Sequence, residues 1–161
     1  MKKEDVIADC RSLFNGVTPL DFDCGKLCGG KCCRGDEDTG MLIFPGEEKL
    51  LEGEFEIRRG SFSIAVCSGT CRRSKRPLAC MIYPLFPLAV KDENGGITVK
   101  VVRDIRAHCP INDSGTEVKK RFARAVKRTG EYLLLNDETK KFLLEISNEL
   151  TEIENLYKKW K

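Results

Sequence analysis

The sequence is short of histidine, of net charge and of long apolar runs, and each shortage narrows what the chain does. His108 is its one histidine. A lone imidazole argues against histidine ligation where cysteines can fill a four-coordinate shell. It also argues against thiol catalysis, because His108 is the immediate neighbour of Cys109, a poor arrangement for a nucleophile and its base. Lysine and arginine number 28 and aspartate and glutamate 25, so the net charge is only +3. That balance does not call for a nucleic-acid partner or an acidic membrane surface. The uncharged stretch around residues 83–90 is broken by Pro84 and Pro87. It falls far below the roughly 20 apolar residues that span a bilayer. The first residues place Glu4, Asp5 and Asp9 where a secretory leader has an unbroken apolar segment. The expected location is the cytoplasm.

Cysteine, by contrast, is abundant, with nine among 161 residues. An odd number cannot pair completely within one chain. In a reducing compartment a dense cysteine pattern reads as metal ligation or catalysis rather than as a disulfide framework. Hydrophobic residues make up 41% of the chain, enough for a modest core of its own.

The chain divides into an N-terminal helix, a cysteine region and a helical C-terminal part. Residues 2–14 have helical spacing, with Val6, Ile7, Cys10, Leu13 and Phe14 near one face. Cys10 reads as a core residue there, since an unpaired cysteine packs like a small hydrophobe. Residues 20–112 hold the other eight cysteines. Phe44-Pro45-Gly46-Glu47-Glu48 reads as a strand end, a turn and a helix start. Residues 54–59 and 61–66 around Gly60 suggest one hairpin. Residues 85–91 and 97–103 around Asp92-Glu93-Asn94-Gly95-Gly96 suggest a second, with Asn94-Gly95 suited to positive φ. Ile97, Val99 and Val101 would share one face of that hairpin. Beyond residue 113 the pattern is helical. Ser114 and Glu117 have capping-box spacing ahead of a face of Val118, Phe122, Ala125 and Val126 that ends near Thr129-Gly130. A second helix starts at Asn136 or Asp137. It carries a stripe of Phe142, Leu143, Ile146, Leu150, Ile153, Leu156, Tyr157 and Trp160, expected to pack in the core.

The cysteines fall into four groups: Cys24-x-x-x-Cys28-x-x-x-Cys32-Cys33, then Cys67-x-x-x-Cys71, then Cys80, then Cys109-Pro110. A tetrahedral zinc site with bonds near ~2.3 Å needs its sulfurs within a few ångströms of one another. Near pairs on tight turns converge in that way, and Gly25, Gly29 and Gly30 let the backbone turn. Adjacent Cys32 and Cys33 point to opposite sides of an extended chain, which suits two different centres. The inventory fits two four-cysteine sites, a polynuclear centre, or one site beside reduced core cysteines. Metal binding would then supply folding energy to a loop-rich region. Four thiolates around zinc leave two net negative charges, which Arg76, Arg103 and Arg106 are available to offset, whereas Arg72, Arg73 and Lys75 in the same run read rather as a solvated basic surface. The cysteine pairs are not spaced as a thioredoxin motif, and Cys28-Gly29-Gly30-Lys31 is not a phosphate loop. Gly35-Asp36-Glu37-Asp38-Thr39-Gly40 is too short for a calcium loop.

These cysteines, together with Arg76-Pro77-x-x-Cys80-x-x-Tyr83-Pro84, resemble the zinc- or iron-chelating domain family of YkgJ type over roughly residues 20–112. The resemblance implies that Cys24, Cys28, Cys32, Cys33, Cys67, Cys71, Cys80 and Cys109 are the metal ligands. It also makes Arg76, Pro77, Tyr83 and Pro84 part of the signature. A similar cysteine signature in bacterial flagellin lysine methylases is thought to hold an iron–sulfur cluster. The Cys67–Cys71 segment here is shorter and more basic than the family pattern, and no glycine-rich loop for a methyl donor is present.

The expectation is therefore an α+β fold: a small, irregular, metal-organised cysteine region with short hairpins. Residues 1–112 form that region and its N-terminal helix, and residues 113–161 a helical hairpin packed on it as part of one domain. The expected function is chelation of zinc or iron as a structural centre, with zinc preferred because no additional cofactor motif argues for redox chemistry. The alternative is an iron–sulfur protein with a redox or methylase-related role. The expected partner is the metal ion, with a protein partner through the C-terminal helices as a further option, and neither nucleic acid nor membrane.

Overall fold

The structure is a computed structural model, and it describes residues 1–20, 40–67, 72–107 and 109–160. Helix α1, Lys3–Ser12, turns Val6, Ile7 and Cys10 inward. Strand β1, Met41–Leu42, is followed by the single-turn helix α2, Glu48–Leu51. Strands β2, Glu56–Arg58, and β3, Ile64–Val66, form the first expected hairpin. Its third strand was not legible: β1 adds to β3, giving an antiparallel sheet of order β1-β3-β2 with Met41 opposite Ala65. A 3-10 turn at Arg73–Lys75 leads to the short helix α3, Leu78–Ile82.

Strands β4, Leu85–Lys91, and β5, Ile97–Arg103, pair antiparallel along their full length, within the boundaries expected. Only glycine takes positive φ in the connection, Gly95 at 83°. The Asp92 carboxylate caps the turn by accepting from the N–H groups of Asn94 and Gly96. Val99 is buried between exposed Thr98 and Lys100, as alternation requires. The free edge of β4 is managed by sequence. Pro87 has no N–H to leave unpaired there. Ala89, two residues on and aimed the same way, donates instead to Ser147 Oγ at 2.9 Å.

The C-terminal part departs from expectation at three places. Ser114 and Glu117 do not cap a long helix. Cys109-Pro110 starts a separate helical turn, α4, Pro110–Asp113, because proline at the first position presets the backbone for it. Ser114 then ends that turn, its Oγ donating to the Pro110 carbonyl at 2.6 Å, and Gly115 turns the chain away at φ 67°. Helix α5 starts only at Lys120 and runs through Thr129 and Gly130 to Leu133. Gly130 is helical because it meets the hairpin: a Cβ there would stand 2.6 Å from Val99 Cγ1 and 2.7 Å from Pro87 Cβ. Thr129 is tolerated inside the core because its hydroxyl donates to the Ala125 carbonyl.

Helix α6, Asp137–Lys159, starts where the sequence indicates, with the Asn136 side chain accepting from Glu138 and Thr139 N–H. Its stripe divides. Leu143, Ile146 and Leu150 are buried, but Leu156, Tyr157 and Trp160 are 56%, 58% and 86% exposed. The helix outruns the body it packs against, so the core reading holds only for its first half. The main core joins α1, α3, β4, α5 and α6, with Phe14 on Phe122 at 5.8 Å between ring centres. Phe142 of α6 reaches into the cysteine region, 5.1 Å from Phe44 and 5.7 Å from Phe62. The architecture is α+β, and no helix among the described residues is long and apolar enough to cross a membrane.

Candidate metal centre

Of the eight expected ligands, Cys24, Cys28, Cys32, Cys33 and Cys71 lie outside the described residues, as does His108. The other three are placed. Cys67 is half-buried immediately after β3, Cys80 is half-buried in α3, and Cys109 is buried as the residue that opens α4. Among the described residues no three histidine, cysteine, aspartate or glutamate side chains gather as a metal-holding group.

The backbone brings the elements that carry Cys67 and Cys80 toward β1. The chain leaves the segment of residues 21–39 at Gly40, where it runs so close to β3 that a Cβ would lie 2.6 Å from the Ala65 carbonyl oxygen. Strand β1 pairs with β3 up to Ala65, two residues before Cys67. Helix α3, with Cys80, touches β1 as well as α1. Helix α4, which Cys109 opens, is tied to the chain two residues beyond the Cys80 helix: Asn112 Nδ2 donates to the Pro84 carbonyl at 3.0 Å and to that of Asp104 at 3.3 Å. Arg103 braces the same turn, donating to the carbonyl oxygens of Ile111 and Thr116 and to Asn112 Oδ1. The chemistry of this donor set, sulfur throughout, suits zinc or iron.

Two of the basic residues near the cysteines in sequence are engaged elsewhere. Arg72 is exposed and pairs with Glu54 at 2.8 Å, and Arg106 forms a two-pronged pair with Asp104 while lying over the Phe86 ring. The residue that serves the Cys80 segment is one that sequence reasoning passed over. Arg11, on α1, donates through Nη2 to the Ser74 carbonyl at 2.9 Å and through Nη1 to the Arg76 carbonyl. Burial lowers its affinity for its proton, while Glu47 and Cys80 act in the opposite sense.

Glu47 completes this arrangement. It is fully buried. Its Oε1 accepts from Phe44 N–H at 2.9 Å and its Oε2 from Leu78 N–H at 3.1 Å, with Arg11 Nη1 3.9 Å from Oε2. Burial pushes its carboxyl up to about 7, against the pull of those two N–H groups and of Arg11. The sequence placed Glu47 in a first helical turn. The signal available was an acidic residue after Pro45-Gly46, a turn that can aim it inward rather than to solvent.

Cys10 is where the sequence put it, fully buried in the core, its thiol directed at the Thr129 carbonyl at 3.7 Å. Loss of solvation raises its pKa to about 12, so it stays a thiol. No protein-family model matches this chain, and neither a curated protein nor a solved structure matches it.

Proposed function

We propose that the chain is a metal-binding protein of YkgJ type, whose clustered cysteines hold zinc as the centre that organises residues 20–112. The observation that supports this is the meeting at β1 of elements far apart in sequence. The chain returning from Cys24–Cys33 at Gly40, the end of β3 before Cys67, and the helix of Cys80 all adjoin that two-residue strand. A strand so short has little pairing energy of its own, and metal ligation is a source of the missing stabilisation. Thiolates that bind metal need a reducing compartment, so the reading places the protein in the cytoplasm.

The test is metal analysis with absorption spectroscopy on protein purified without oxygen. Stoichiometric zinc in a colourless protein is the expected result, and Cys80→Ser is expected to lower the metal content. Brown protein with iron and acid-labile sulfide would replace zinc by an iron–sulfur centre. Protein that takes up neither metal would overturn the reading.

A further inference from the structure

We infer that Arg11 and Glu47, neither of them a ligand, are positioning residues that hold the backbone ahead of Cys80 in its ligand-bearing shape, so that helix α1 governs how tightly the centre keeps its metal. This rests on the metal-binding reading above. The segment they serve draws on distant side chains as well as on its own backbone bonds. Helix α3 is preceded by Pro77, which has no side-chain oxygen to cap the helix and makes no cap hydrogen bond. The free N–H of Leu78, the first residue of α3, is satisfied from outside, by a carboxylate 31 positions earlier in the chain. The carbonyls of Ser74 and Arg76 are likewise taken by a guanidinium 63 and 65 positions away. Three alternate residues, Ser74, Arg76 and Leu78, are thus pinned by one pair of side chains, and Cys80 follows two residues later.

The chemistry of the pair suits this task. The planar guanidinium presents several donors in a fixed fork and can hold two carbonyls at once, which a lysine ammonium does less rigidly. The carboxylate, in turn, carries the N–H of Phe44, which leads directly out of β1. The pair therefore ties α1, the β1–α2 turn and the Cys80 segment into one unit. Groups that orient a metal ligand in this way typically change metal affinity about 10- to 100-fold when removed.

The experiment compares zinc-loaded wild type with Arg11→Met, Arg11→Lys and Glu47→Gln, reading zinc release to a chromogenic chelator and amide hydrogen exchange over residues 74–82, with far-UV circular dichroism reporting the fold. Lys3→Ala is the control, since it removes a different tether of α1, the exposed ion pair with Glu138. Arg11→Met and Glu47→Gln are expected to release zinc about tenfold faster or more and to lose protection at Leu78. Arg11→Lys is expected to fall between them and wild type, and Lys3→Ala to match wild type. Wild-type release rates in folded Arg11→Met and Glu47→Gln would overturn the inference while leaving the metal reading intact. Acceleration as large in Lys3→Ala would also overturn it, because general loosening of α1 would then be the cause. Should Arg11→Met fail to fold, Arg11→Lys and Glu47→Gln decide. Wild-type protein that binds no zinc would sink the metal reading and this inference together.

Discussion

Glu47 makes stability depend on pH in the direction opposite to most carboxylates. Desolvation moves its pKa from 4.5 to about 7. The folded state then holds the proton more tightly than the unfolded chain does. Below pH 4.5 both states are protonated and the group is neutral to stability; as pH rises, the unfolded chain ionises first and stability falls until the folded carboxyl ionises near 7. At about 1.4 kcal/mol per pH unit, the full loss is about 3 kcal/mol, of which about 2 kcal/mol falls between about pH 5.5 and about pH 8. The perturbation is Glu47→Gln, which fills nearly the same space and has no proton to lose. Urea unfolding followed by far-UV circular dichroism at the two pH values, on both proteins, isolates the effect, because every cysteine and every other carboxylate is common to both. Wild type is expected to lose about 2 kcal/mol more than Glu47→Gln over that range. Equal losses in the two proteins would show that burial does not hold the proton on Glu47, and the account of its environment would fail.

Gly130→Ala brings a methyl to 2.6 Å from Val99 Cγ1 and 2.7 Å from Pro87 Cβ. Overpacking of about 1–3 kcal/mol outweighs the gain of at most about 1 kcal/mol in helix propensity, so the thermal midpoint is expected to fall; a rise would refute the contact. Ser147→Ala leaves the Ala89 N–H without its partner on the edge of β4. Chemical denaturation is expected to show a loss of about 1–3 kcal/mol, and a neutral variant would mean that edge is solvated. Cys10→Ser puts a hydroxyl into the core and is expected to cost about 1–3 kcal/mol while metal content stays at the wild-type level. Loss of metal in that variant would place Cys10 among the ligands.

Features written in local spacing were legible from the sequence. The apolar face of α1, the boundaries of β4 and β5, and the Asn136 cap of α6 all follow from periodicity or from a side chain acting within three residues. Most of what was missed depends on distant chain. Strand β1 is two residues long, too short for any alternation to show, and exists through its partner β3. Gly130 looked like a helix end because glycine usually is one; only the hairpin lying against it explains why it continues. Ser114 had the right spacing for a cap, but Pro110 had already committed the chain to another turn. Arg11 carries no signature at all, since the carbonyls it holds lie 63 and 65 positions away, and Glu47 is signalled only by the turn ahead of it, its Leu78 partner lying 31 positions away. For the candidate centre, the sequence offers an inventory of sulfurs, and among the described residues the fold sets the Cys67 and Cys80 segments beside β1.

The overhang of α6 has a spectroscopic consequence. Trp160 is the sole indole in the chain and is 86% exposed. Its emission therefore belongs to water in the native protein as in the denatured one, and fluorescence melts will miss the collapse of the core. The same isolation makes it a quiet background: a blue shift or a change in quenching by iodide would register only what comes to rest against the tip of that helix.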